Sequence, residues 1–274
     1  MTEIAPNDIL DKKEAGMLSK EKIETELNSL GIDLPKIIFY DETDSTNTRA
    51  REYAKKNPGE SAIFIANCQT AGRGRRGRSF VSNAGAGIYI SILTHPKAEG
   101  FDATKATARA AVALARAIES LCNCQIQIKW VNDLYLGGKK LAGILTEGEM
   151  TDDGKIAYQV VGMGINIYKN AISEEISTIA TSLESELNKA PDRSRLAAMI
   201  IKEFLKYEGD CYAEYKARSF IIGKYVTVIK LSESYEAKVL DINPDFSLSV
   251  ERNGKTERLF TGEISLKIQK TDSN

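Results

Sequence analysis

The sequence predicts an α+β domain followed by a small all-β domain. Two observations carry that reading. Between about residues 37 and 219, short apolar runs of strand length are interspersed with long helical patterns, one Ala-rich and one amphipathic. Beyond Phe220 the texture changes to short β-branched and aromatic runs separated by SES, NPD and NGK turns. A chain of 274 residues is long enough for one substantial domain plus a smaller one, each with a buried core.

Taken in order, residues 1–36 form a polar, charged extension with one helix in SKEKIETELNSL, closed by Gly31 and followed by Pro35. KIIFYDE reads as a strand. DSTNTRAREYAKKN opens on capping residues and runs as a helix until NPG ends it. AIFIAN is a short buried strand and GIYISILT another, and FDATKATARAAVALARAIESL is a helix with an apolar face. QIQIKW alternates as a strand leading into VND. LYLGGKKLAGILTEGEM reads as a hairpin turning at Gly137 and Gly138, and after a DDG turn KIAYQVVGMGIN is a further strand. DRSRLAAMIIKEFLKYEGDCYAEYKA reads as one long amphipathic helix. YVTVIK, YEAKVLDI, FSLSVE, ERLF and ISLKI then give five strands, the pattern of a small β-barrel. The expected divisions are an extension over 1–36, a main domain over 37–219, a β domain over 220–270 and a tail over 271–274.

The 37 lysines and arginines nearly balance the 38 aspartates and glutamates, so no global field draws the protein to nucleic acid or anionic membrane. No apolar run reaches the roughly 20 residues that span a bilayer, and the N-terminus lacks the pattern of a signal peptide, so a cytoplasmic protein is expected. Cys68, Cys122, Cys124 and Cys211 form no spaced framework and read as reduced, partly buried thiols.

Positive charge is nonetheless concentrated in CQTAGRGRRGRSF, where Gly72 to Gly77 spell G-x-G-x-x-G and Arg73, Arg75, Arg76 and Arg78 alternate with the glycines. A phosphate-binding loop or a dinucleotide fingerprint needs a helix straight after its glycines, and here the flanking segments are both strands. A kinase glycine loop does join two strands, but the chain has no H-R-D or D-F-G to accompany it. A nucleic-acid patch is disfavoured by the near-neutral net charge.

Four further constellations lie at strand ends: DSTN (44–47), KWVND (129–133), GGKKLAGIL (137–145) and GMGIN (162–166). With the GRGRRGR loop and the terminal GEISL (262–266), they resemble the biotin protein ligases in motif and in order, over about Ile37 to Ile268. The resemblance implies a mixed-sheet α+β catalytic domain of the biotin/lipoate ligase type and an SH3-like C-terminal barrel. It also implies an activity: biotin is adenylated with ATP and Mg²⁺ to biotinyl-5'-AMP, and the biotinyl group passes to a lysine of a biotin carboxyl carrier domain. Fixed cations beside two anionic reactants would lower that barrier.

By resemblance, Ser45, Thr46, Asn47 and Gln69 belong to a biotin pocket; spacing alone favours the first three as caps of the following helix and allows Gln69 as a solvated strand end. Arg73, Gly74 and Arg75 map onto the part of the loop that covers biotin and its adenylate, with Arg75 also catalytic and Arg75, Arg76 and Arg78 on the nucleotide side. The bland reading is a solvated basic loop. Lys140 maps onto the lysine that contacts the biotin carboxyl end and the reacting phosphate, with Lys139 able in principle to exchange roles. Trp130, Asn132 and Asn166 map to nucleotide contacts, Trp130 being equally readable as core, and Asp133 to the Mg²⁺ or triphosphate side.

Two positions depart from the family pattern: Val131 stands where proline is usual, and Phe80 where tryptophan is common. The loop itself, short of apolar anchors, is expected to be mobile until an anionic ligand orders it. Only about 36 residues precede the main domain, too few for a winged helix plus linker, so no specific DNA binding is expected. The resemblance leaves homodimerisation open. A lipoate ligase shares fold and chemistry, but the complete GRGRRGR loop belongs to the biotin branch.

Overall fold

The computed structural model describes residues 17–96, 102–153, 155–207, 209–230, 233–260 and 263–266. Outside them lie the first part of the N-terminal extension, Phe101 at the expected helix start, Gly154 of the DDG turn, Glu208, Ser232 of the SES turn, Gly262 of GEISL, and everything from 267 on.

The larger sheet contains β1 (Ile37–Tyr40), β2 (Ala62–Ala66), β3 (Gly87–Thr94), β4 (Gln127–Lys129), β5 (Asp133–Leu136), β6 (Lys139–Met150) and β7 (Ile156–Asn166). Its order is β1-β2-β3-β7-β6-β5-β4, and it is mixed, since β1 and β2 run parallel while the other pairs are antiparallel. The parallel pair requires a crossover, supplied by helix α2 (Thr46–Lys56) in the β1–β2 connection, after α1 (Lys20–Ser29) in the extension. The β5–β6 hairpin turns at Gly137 and Gly138, both at positive φ, as the sequence leads one to expect.

Strand side chains alternate between faces, which gives the two sides of the sheet different tasks. Ile88, Ile90 and Ile92 of β3, Val161, Met163 and Ile165 of β7, and Ala142 and Ile144 of β6 join the main core with α3 (Ala103–Leu121). The alanines of α3, buried almost all round, let that helix lie close to the sheet and to α5 (Arg193–Leu205). The opposite face packs Phe64, Leu93 and Val160 against Ala50 and Ala54 of α2, and the rest of it is left for the site.

The single helix expected over 192–217 is two. After α4 (Leu183–Leu187), α5 stops at Leu205 and α6 begins at Tyr212, running to Arg218. Gly209 between them sits at φ 85, a left-handed conformation that ends helical propagation, and Asp210 Oδ1 accepts the backbone N–H of Tyr212 to start the next helix.

The C-terminal strands β8 (Tyr225–Ile229), β9 (Ser234–Ile242), β10 (Leu248–Arg252), β11 (Lys255–Leu259) and β12 (Glu263–Leu266) form an antiparallel five-stranded sheet in the order β11-β10-β9-β8-β12. Among the described residues β11 and β12 are its two edges, so its hydrogen-bonded ring is open. This sheet is tied to the larger domain by polar contacts. Trp130 Nε1 donates to the carbonyl of Phe246 at 2.7 Å, and the Tyr212 hydroxyl donates to the carbonyl of Ile242 at 2.8 Å; the Tyr215 ring stands edge-on to Phe246 while its hydroxyl donates to the carbonyl of Val131 within the larger domain at 3.0 Å. Burial pushes the Tyr215 phenol up, which keeps it a neutral donor.

Arg218 closes the helical layer. Its guanidinium takes Glu119 of α3 in a bidentate pair at 2.7 and 2.9 Å and Glu214 of α6 at 2.9 Å. Its side chain is only 16% exposed, and removing it leaves Glu119 without its cation while Glu214 keeps Arg116. Arg218→Ala is expected to lower stability by about 2 kcal/mol, less than the roughly 3–5 of a fully buried pair because both glutamates reach solvent. Chemical denaturation of the two proteins, compared at their midpoints, checks this.

Candidate active site

The site lies on the sheet face that α2 covers, and its floor is made of residues with little or no side chain. Register places Tyr89, Gly164 and Gly143 in one cross-strand row, Ser91, Gly162 and Leu145 in the next, and Leu93, Val160 and Glu147 in a third. A methyl group at Gly162 would overlap the Asn47 amide oxygen, and one at Gly164 would stand 2.7 Å from the Phe80 ring. Both glycines are therefore required by what rests on them.

Ser45, Thr46 and Asn47 are buried at the N-terminus of α2. Ser45 has the extended backbone of an N-cap but makes no side-chain cap bond. The Thr46 hydroxyl stands 3.1 Å from Gln69 Oε1 and 2.7 Å from Ser91 Oγ, while Asn47 accepts from Ser91 at 2.6 Å and donates to the Leu145 carbonyl at 3.2 Å. Gln69, bonded to the Thr46 backbone N–H at 2.8 Å and to Ser82 at 3.0 Å, completes this patch of neutral amides and hydroxyls. The helix-capping alternative does not describe where these side chains go.

The Gly/Arg loop folds back on itself over that floor. The Gly74 N–H bonds the Arg78 carbonyl at 2.7 Å and the Phe80 N–H bonds the Gly72 carbonyl at 2.9 Å, with a single 3₁₀ turn at Arg75–Gly77. It has anchors that its composition does not reveal. Arg73 pairs with Glu147 at 3.2 Å, Arg75 donates to Asn132 Oδ1 at 3.1 Å, and Arg76 reaches the C-terminal sheet to donate to the Ile229 carbonyl at 2.8 Å. Phe80 is an apolar anchor, set on Gly143 and Gly164 and edge-on to Tyr89 at 6.4 Å.

The far end of the cavity is polar and charged. Lys140 Nζ stands 2.7 Å from Asp133 Oδ1, an oxygen that is buried and receives no well-angled hydrogen bond. Asn132 is fixed by exchange with Ile144, its backbone carbonyl accepting at 2.9 Å and its side-chain amide donating at 3.0 Å. Lys139 points elsewhere, to the Ser177 carbonyl, so of the two lysines only Lys140 faces the cavity.

One cavity thus gathers Ser45, Thr46, Asn47, Gln69, Arg73, Gly74, Arg75, Arg76, Arg78, Asn132, Asp133 and Lys140. Trp130 and Asn166 do not line it. The Trp130 indole is buried and committed to Phe246, and Asn166 is buried with its amide on the Thr181 carbonyl at 3.1 Å. The Trp130–Val131 peptide, at the position where the family has proline, is cis. Sequence reasoning missed Ser91, which joins Thr46 to Asn47, and Glu147, which meets Arg73. The signal for Glu147 was alternation: it follows Gly143 and Leu145 at two-residue spacing, so a carboxylate sits on an inward phase.

A family model described as the biotin/lipoate A/B protein ligase family matches residues 39–166, the stretch that holds every cavity residue. The bifunctional ligase/repressor BirA of Bacillus subtilis is 30% identical over 268 residues, covering 93% of this chain and 81% of that protein. The biotin–[acetyl-CoA-carboxylase] ligase of Paracoccus denitrificans is 34% identical over 171 residues, covering 61% and 70%. Among solved structures, the biotin protein ligase of Aquifex aeolicus in complex with biotin and ATP superposes with a TM-score of 0.72 at 25% identity, over 85% of this chain and 99% of that one. These likenesses extend through both sheets, and with the loop lying over its glycine floor they show that the chain belongs to the biotin protein ligase family.

Proposed function

We propose that the protein activates biotin with ATP and transfers the biotinyl group to a lysine of a biotin carboxyl carrier domain. The observation that carries this reading is the polarity of the cavity: neutral amides and hydroxyls at one end, Lys140, Asp133, Asn132 and Arg75 at the other, and a basic loop across both. Biotin has the matching asymmetry, a neutral ureido ring at one end and a carboxylate at the other. Thr46, Asn47 and Gln69 would meet the ring, with Ser45 beside them, and Arg73 and Gly74 would cover it.

In the first step a biotin carboxylate oxygen attacks the α-phosphorus of ATP, a new P–O bond forms, and the bond to the departing pyrophosphate breaks. Lys140 and Arg75 face that point with cationic donors, and charge held in place is worth more in a covered cavity than in water. Arg76, Arg78 and Asn132 would contact the nucleotide. Trp130 and Asn166 act on that reading through the segments they hold, by way of Phe246 and Thr181. Asp133 suits a magnesium ion that arrives with the nucleotide, because such an ion takes one or two protein carboxylates and fills its shell from phosphate and water. When bound, the ion would neutralise charge on the leaving pyrophosphate. In the second step the acceptor amine attacks the carbonyl carbon, the C–O bond to AMP breaks, and the amine loses its proton. No helix among the described residues is long and apolar enough to cross a membrane, and this chemistry calls for none.

Labelled pyrophosphate should exchange into ATP when biotin is present and no acceptor is; exchange that needs lipoate instead would overturn the reading. Lys140→Ala removes the cation that faces the reacting phosphate, so adenylate formation is expected to fall by at least about a hundredfold, and because it also leaves Asp133 unpaired the melting temperature should fall by a few degrees. Single-turnover measurement of biotinyl-AMP checks it, and near wild-type rates would take Lys140 out of the chemistry.

A further inference from the structure

We infer that Glu147 is a positioning residue that sets the loop and the helix wall in register over the biotin ring and offsets part of the positive charge of Arg73 there. This rests on the reading of the cavity as a biotin site. Glu147 stands on β6 in phase with Gly143 and Leu145, one row beyond the cavity lining, and its side chain is 19% exposed, a carboxylate largely withdrawn from water. Its oxygens serve three groups from two other elements. Oε2 accepts from the Asn47 side-chain amide at 2.9 Å, and Oε1 pairs with Arg73 of the loop at 3.2 Å and with Arg51 of α2 at 3.3 Å.

Two consequences follow from that geometry. With its N–H groups committed to Glu147 and Leu145 and its oxygen packed over Gly162 and accepting from Ser91, the Asn47 amide has one orientation, and only the second lone pair of that oxygen is left for an incoming ligand. The loop arginines are also divided between tasks: Arg73 is paired, at the end lined by amides and hydroxyls, with a carboxylate it shares with Arg51, while Arg75 is directed to Asn132 at the other end. Without Glu147, the Arg73 guanidinium would be an uncompensated cation beside a neutral ring, and an anion would be attracted to the wrong end of the cavity.

The test is Glu147→Gln in the full chain, read by biotin-dependent pyrophosphate exchange. The KM for biotin should rise about tenfold, as expected for losing hydrogen bonds to a charged group, while the KM for ATP stays within about twofold. The melting temperature should move by less than about 2 °C, since the change is nearly isosteric. Arg73→Ala, at an exposed loop position, should raise the biotin KM similarly, and adding Glu147→Gln to it should do little more. An unchanged biotin KM in either single variant, both KM values rising together with a lowered melting temperature, or additive effects in the double variant would overturn the assignment. Wild-type exchange that does not depend on biotin would sink the underlying function as well; biotin-dependent wild-type exchange with an unaltered Glu147→Gln would sink this inference alone.

Discussion

Where a sheet must carry both a hydrophobic core and a ligand cavity, its two faces have to differ in the volume of their side chains, and here that difference is concentrated in β7. On one phase Val161, Met163 and Ile165 fill the core under α3; on the other, Gly162 and Gly164 contribute nothing, and Asn47 and Phe80 come down onto the bare backbone. The depth of the cavity follows from that emptiness. So does the seating of the loop, because Phe80 is its one large apolar contact with the floor. Replacing tryptophan, common at this position in the family, with Phe80 keeps a ring of suitable thickness on the glycine row and gives up a donor that the floor there has little use for.

The loop's charge would be a liability if its arginines faced only one another. The structure disperses them instead: Arg73 goes to Glu147, Arg75 to Asn132 and Arg76 to a carbonyl of the C-terminal sheet. Each contact is individually modest at a partly exposed surface. Their value lies in geometry, since three attachments on three different elements fix the path of a seven-residue segment that has few apolar contacts. Anchored in this way, the loop has protein partners of its own on three sides of the cavity.

Most of the fold was legible because its elements obey simple periods. The strands of the large sheet, the Gly137–Gly138 hairpin and the Ala-rich helix all stand where alternation, turn residues and apolar spacing put them. The break between α5 and α6 was not, because Gly209 is a single residue in a pattern otherwise apolar at helical spacing, and its left-handed backbone shows only in three dimensions. Most of the site residues were legible through motifs that cluster at strand ends. Trp130 and Asn166 show the limit of that approach, since the structure buries both against neighbouring carbonyls and a motif cannot say which way a side chain turns. Glu147 escaped for the converse reason: it belongs to no quoted motif, and its partners lie 74 to 100 residues away in sequence.

Of the polar ties from the C-terminal sheet, two go to α6, from Ile242 to Tyr212 and from Asp241 to Lys216, and two land on segments that form the charged end of the cavity. Phe246 holds Trp130, two residues before Asn132 and three before Asp133, and the Ile229 carbonyl holds Arg76, next to Arg75. Phe246 adopts a left-handed backbone, and that conformation, unusual for an aromatic residue, presents its carbonyl to the indole while its ring packs on Tyr215. Tyr215 in turn bonds the Val131 carbonyl, so the turn that bears Asn132 and Asp133 is gripped from the helical layer and from the C-terminal sheet at once. No comparable tie reaches the patch of Thr46, Asn47 and Gln69, whose described partners all lie within the larger domain. The two ends of the cavity are therefore supported differently: the neutral end by the sheet and α2 alone, the charged end by Ile144 and Tyr215 of the larger domain and, in addition, by carbonyls of the C-terminal domain.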